Sequence, residues 1–113
     1  MTARRLRIYI GERDKDPAGR PLPEAIVHQA HRRGLAGATV LKGIAGFGAN
    51  SRVHTARILR LSEDLPVVIE IIDSAERIDA FCDWLAGEVR EGLVTVEDVT
   101  VALQPRARDH ADD

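Results

Sequence analysis

The residue types best suited to chemistry are concentrated in one stretch of the chain. Gly43-Ile44-Ala45-Gly46-Phe47-Gly48 sets three glycines directly after an apolar, β-branched run. Glycine lets backbone amides approach a phosphate or a nucleotide base with no side chain in the way. Such a run alone reads as a hairpin tip. Its surroundings add to it: Lys42, Arg52, Arg57 and Arg60 fall between positions 42 and 60, a span without Asp or Glu. Basic side chains beside exposed amides suit an anionic ligand. The Walker lysine and hydroxyl are missing, and no strong helix follows as a dinucleotide fingerprint requires. His28 and His31 stand three apart, a helical spacing that could present both imidazoles to a metal. No carboxylate or cysteine obviously completes that set, so solvent-facing histidines are the expectation and a metal shared between subunits the alternative. His54 could touch a ligand of the glycine-containing loop, and His110 falls in a polar tail. No Gly-x-Ser-x-Gly elbow, His-Glu-x-x-His or Cys-His setting occurs. The acid pairs Glu63-Asp64 and Glu97-Asp98 are adjacent, which points their side chains apart. The expectation is a protein that is not an enzyme.

The elements that must position these residues follow from periodicity. Leu6 to Ile10 alternates apolar and polar as a half-buried strand does, and Gly11 ends it. Residues 12–21 carry turn formers. Ile26, Val27 and Ala30 then follow helical spacing, with Pro23 suited to the first helical position and Gly34 to a left-handed stop. Ala38 to Leu41 is a second strand running towards Ile44, and a loop spans about Gly46 to Thr55. Leu65 to Ile72 is almost wholly apolar, which predicts a strand central in a sheet or buried on both faces. Asp73 with Glu76 fits a capping box, and Ile78, Phe81, Cys82 and Leu85 form the inward stripe of a second helix. Leu93 to Leu103 predicts a last strand, interrupted by a turn or bulge at Glu97-Asp98. The domain is expected over residues 1–104 with a polar tail at 105–113.

This order is the α+β, ferredoxin-like βαββαβ arrangement, a four-stranded antiparallel sheet with two helices on one face. One face is left bare, and aromatic residues make up only 4% of the chain. Burial of that face in a homo-oligomer is therefore expected. An open sheet of this kind also suits RNA, but RNA recognition wants aromatic residues on central strands and these are aliphatic, so no nucleic acid is expected. A net charge of -2 gives no overall attraction to DNA or an anionic membrane. The halves differ: residues 1–60 hold 12 Lys/Arg and 4 Asp/Glu, a balance of +8, and residues 61–113 hold 4 and 14, a balance of -10. Either an anion site in the first half or mutual attraction of the halves, within or between subunits, accounts for this. The single cysteine, Cys82, cannot form an internal disulfide and is expected to pack in the core. No run is apolar enough to span a membrane and no basic start leads into one, so the expected location is cytoplasmic.

Ile10-Gly11-Glu12, Gly37-Ala38-Thr39-Val40, Gly46-Phe47-Gly48, the apolar strand with Pro66, and Gly92-Leu93-Val94-Thr95-Val96 occur in an order that resembles the PII-like family of uncharacterised bacterial proteins, domain of unknown function 190. The likeness runs from about Leu6 to Leu103. More distantly it is similar to the PII nitrogen-regulatory proteins, trimeric sensors that bind adenine nucleotides between subunits and signal through a long loop after the second strand. The resemblance implies a regulatory homotrimer with ADP, AMP or ATP as its ligand, and a membrane transporter or other regulated protein as partner. It puts Thr39, Gly46, Phe47 and Gly48 beside the nucleotide. Asn50 stands where PII proteins carry a longer glutamine that helps hold a metal and an oxo-acid, which speaks against a bound Mg and 2-oxoglutarate sensing. The glycine-rich, lysine-bearing phosphate loop of PII corresponds here to Gly87-Glu88-Val89-Arg90-Glu91-Gly92-Leu93, with Leu93 in place of the lysine. Lys42, Arg52 and Arg90 are the candidate anion contacts. The alternatives are a ligand-free trimeric interaction module, or a metal-tolerance-type trimer binding divalent metal through His28 and His31.

Overall fold

In the computed structural model, which describes residues 2–47 and 64–105, the period-two pattern of the first strand decides which face is buried. β1 (Thr2–Gly11) buries Leu6, Ile8 and Ile10. β3 (Pro66–Asp73) runs antiparallel beside it and buries Val67, Ile69 and Ile71, which are the register partners of Ile10, Ile8 and Leu6. Paired residues share a face, so these six side chains form one apolar floor. α1 (Leu22–Arg32) covers it with Leu22, Ile26 and Ala30, and α2 (Ala75–Leu85) with Ile78, Phe81 and Leu85. Each large side chain fully buried there is worth about 1.5–3 kcal/mol over leaving it exposed.

The edges are β2 (Thr39–Lys42), paired to β3, and β4 (Leu93–Thr100), paired to β1, so the order is β2-β3-β1-β4 and every pairing is antiparallel. This is the expected ferredoxin-like arrangement. The helices cover the central strands, and both edges stay exposed: Leu41 is 55% and Leu93 58% accessible.

Several local expectations are corrected. β1 starts at Thr2, because Arg4 and Arg5 are held by acids: Arg4 pairs with Asp79 and Asp98, and Arg5 with Glu97. α1 starts at Leu22, with Pro23 second. It ends as expected at Gly34, whose φ of 72° suits a residue without Cβ. The cap of α2 is Ser74, whose hydroxyl accepts from the Arg77 amide at 3.3 Å, and not Asp73. Asp73 instead accepts from the Ser74 amide at 2.7 Å and the Ala36 amide at 2.9 Å, tying the approach to β2 to the end of β3. β3 is central but buried on one face, with Ile72 39% accessible on the other. β4 is unbroken at Glu97-Asp98, which pair in sequence with Arg5 and Arg4, and it stops at Thr100 rather than Leu103. Cys82 is half-buried against the core rather than enclosed, and burial, with Asp79 and Asp83 nearby, pushes its thiol pKa up.

Candidate functional site

The end of β2 and the turn after it place Lys42, Gly43, Gly46 and Phe47 at one end of the sheet. Lys42 closes β2 opposite Val67, and the Gly43 amide donates to the Pro66 carbonyl at 2.7 Å. A Cβ on Gly43 would lie 2.6 Å from Pro66 Cγ, and one on Gly46 3.1 Å from it. These two glycines therefore let the chain pack onto Pro66, and the Gly43 amide is already used. Phe47 is 70% accessible beyond them. Thr39 lies at the far end of β2, paired with Glu70, three residues and about 10 Å from Lys42. The Lys42 ammonium is engaged by the Glu12 carboxylate at the end of β1.

Arg90 sits at the same end of the sheet on the other edge, in the connection from α2 to β4. It lines a shallow cavity of about 170 Å³ with Asp14, Lys15, Leu22 and Glu91. Lys15 was not legible as a site residue, since it stands in a stretch whose Asp and Gly signal only a turn. Of the two acids flanking Arg90, Glu91 shares its cavity, and Glu88 instead lines a groove of about 440 Å³ beside Arg20, His28, Arg32 and Trp84. Lys42 and Arg90 are thus on opposite edges. Three strand spacings, about 14 Å, separate β2 from β4.

The sheet face that no helix among the described residues covers carries a charge ladder between apolar margins. Arg5 pairs with Glu97, and Arg7 with Glu70 at 3.0 Å and Glu97 at 3.6 Å. The Glu70 hydrogen bond raises the Arg7 pKa, and the Arg5 hydrogen bond holds the Glu97 carboxyl below its ordinary value against the opposing effect of desolvation. The ladder shows the two charge halves attracting each other within the subunit. Tyr9, Val68, Leu41 and Leu93 flank it on the same face by register.

His28 and His31 are both exposed on α1, and no group of three His, Cys, Asp or Glu that could hold a metal occurs among the described residues. Gly48, Asn50, Arg52, His54, Arg57, Arg60 and His110 lie outside the described residues, as does most of the expected loop 46–56. No helix among the described residues is long and apolar enough to cross a membrane.

The family model of DUF190, an uncharacterized ACR, matches residues 3–101. The chain belongs to the DUF190 family. Among curated relatives of this DUF190 chain, a UPF0166 protein of Aquifex aeolicus (strain VF5) is 41% identical over 96 residues, covering 85% of the chain and 90% of the relative. A UPF0166 protein of Methanocaldococcus jannaschii is 38% identical over 102 residues, covering 89% and 93%. Among solved structures, CPII bound to ADP and bicarbonate, from Thiomonas intermedia K12, superposes with a TM-score of 0.58 over 91% of each chain at 19% identity. That likeness carries the PII-type fold of the DUF190 chain.

Proposed function

We propose that this protein is a non-enzymatic PII-like regulator. In this reading it binds an adenine nucleotide, or a small anion of similar charge, in clefts between copies of itself, and segment 46–56 changes its contacts with a regulated partner. The observation that carries this reading is the placement of Lys42 with the glycine-bearing turn on one edge of the sheet, and of Lys15 and Arg90 on the other edge at the same end. Setting the β2 edge of one copy beside the β4 edge of the next would join both cationic groups around one ligand. Neither edge alone offers a net positive charge, because Glu12 offsets Lys42, and Asp14 and Glu91 offset Lys15 and Arg90. CPII, which shares the fold, binds ADP, and that supports testing a nucleotide first. Thr39, Gly46 and Phe47 are assigned to ligand contact by resemblance. Gly48 and Asn50 are assigned on the same ground, and Arg52 as an anion contact from the basic, acid-free run in which it stands.

Binding energy would then select one conformation of the segment after β2. Calorimetric titration with ADP, compared with AMP, ATP and cyclic dinucleotides, tests this. Micromolar binding near one ligand per subunit is expected. No heat with any of them, from an intact oligomer, would remove the nucleotide site and leave a ligand-free interaction module as the better account.

A further inference from the structure

Lys42, one of the proposed ligand contacts, is already occupied by a carboxylate of its own chain. Both partners of that ion pair are placed by backbone. Glu12 follows β1 directly, and its amide donates to the Leu65 carbonyl at 2.8 Å. Lys42 ends β2 opposite Val67, and the next amide is bonded to Pro66. The short stretch from Leu65 to Val67 therefore anchors both residues from either side, and their side chains meet across it. Glu12 is the more enclosed of the two, its side chain 32% accessible against 54% for Lys42.

We propose that Glu12 is a built-in competitor that determines which anions the site accepts. This rests on the reading above that Lys42 touches the ligand. An incoming anion gains Lys42 only by displacing the Glu12 carboxylate. A terminal phosphate brings nearly two charges and three strong acceptor oxygens, so it outcompetes a single carboxylate. A ligand with a weaker or shorter anionic group leaves the Glu12–Lys42 pair in place. Displacement also releases the one side-chain tie described between the end of β1 and the end of β2, immediately before the turn at Gly43. The same event that admits the ligand thereby alters the start of the segment assigned to signalling.

The test is calorimetric titration of the full-length protein with ADP in four forms: wild type, Glu12→Gln, Lys42→Gln and the double variant, at one fixed low ionic strength. Both side chains are accessible, so all four should fold, and circular dichroism confirms it. Glu12→Gln should bind ADP more tightly, by up to about fivefold, the range of an accessible ion pair. Lys42→Gln should bind more weakly, and Glu12→Gln should add nothing in the Lys42→Gln background. If wild type binds and Glu12→Gln binds equally or less well, the competitor role is overturned while the nucleotide site stands. An equal gain in the Lys42→Gln background overturns it too, since Glu12 would then act by general repulsion. Absence of binding in all four forms overturns the nucleotide site itself, and the competitor role with it.

Discussion

Asp16 is the one charged residue buried among the described residues, and it shows how this small domain treats a buried charge. Its carboxylate accepts from the Ala18 amide at 3.0 Å, the Arg20 amide at 2.8 Å and the Arg20 guanidinium at 2.8 Å, closing the turn that leads into α1. Burial acts to raise its pKa, and these bonds outweigh that and lower it. The sign follows: the native state holds this proton less tightly than the unfolded chain. Asp16 therefore contributes stability that is complete above the ordinary carboxylate value of about 4 and is lost as pH falls through the lower folded value. Glu97, lowered by Arg5, acts in the same direction. Asp16→Asn should melt below wild type at neutral pH, with the gap closing under acid; thermal unfolding from pH 7 down to pH 3 reads this, and parallel profiles would contradict it. At this scale the sequence was a partial guide. The Asp16 turn was readable from Asp, Pro and Gly together, whereas the pairing of Lys42 with Glu12 depends on two strands ending side by side, which no local pattern encodes.

Elements were more legible than contacts, because hydrophobic period reports burial directly. β1 and both helices follow from alternation or helical spacing and β3 from its near-continuous apolar run, and they are the parts that share the core. The misreadings arose where tertiary pairing overrides local preference. Glu97-Asp98 looks like an interruption until Arg5 and Arg4 are placed opposite it. Asp73 looks like a helix cap until the Ala36 amide takes its carboxylate. Two variants test these assignments. Ser74→Ala should cost about 0.5–2 kcal/mol by removing the true cap of α2, read by urea denaturation, and no change would return the cap to Asp73. Gly92→Ala should destabilise by about 1–3 kcal/mol or more. Its φ of 141° is unsuited to a side chain, and a Cβ there would lie 2.5 Å from the Tyr9 carbonyl oxygen. A silent Gly92→Ala would mean that the start of β4, and with it Arg90, is placed differently.

In the molecule as a whole, the helices among the described residues cover one face of the sheet, over its two central strands. The fold and family were readable from element order and from short motifs spread over nearly the whole chain. The proposed site was readable only as a set of residue types, because Lys42 and Arg90 lie towards opposite edges of the sheet, a placement that no local pattern encodes. In the proposed function the site forms between copies, and subunit exchange distinguishes this from a site within one subunit. Lys42→Glu and Arg90→Glu should each abolish ADP binding alone, since each removes one side of the cleft. After the two variants exchange subunits, a mixed ring holds an interface whose β2 edge and β4 edge are both unaltered, so ADP binding should return in part, measured by calorimetry on the exchanged sample. Binding that stays absent after demonstrated exchange would place Lys42 and Arg90 in one site within a single subunit, or in none, and would overturn a site formed between copies.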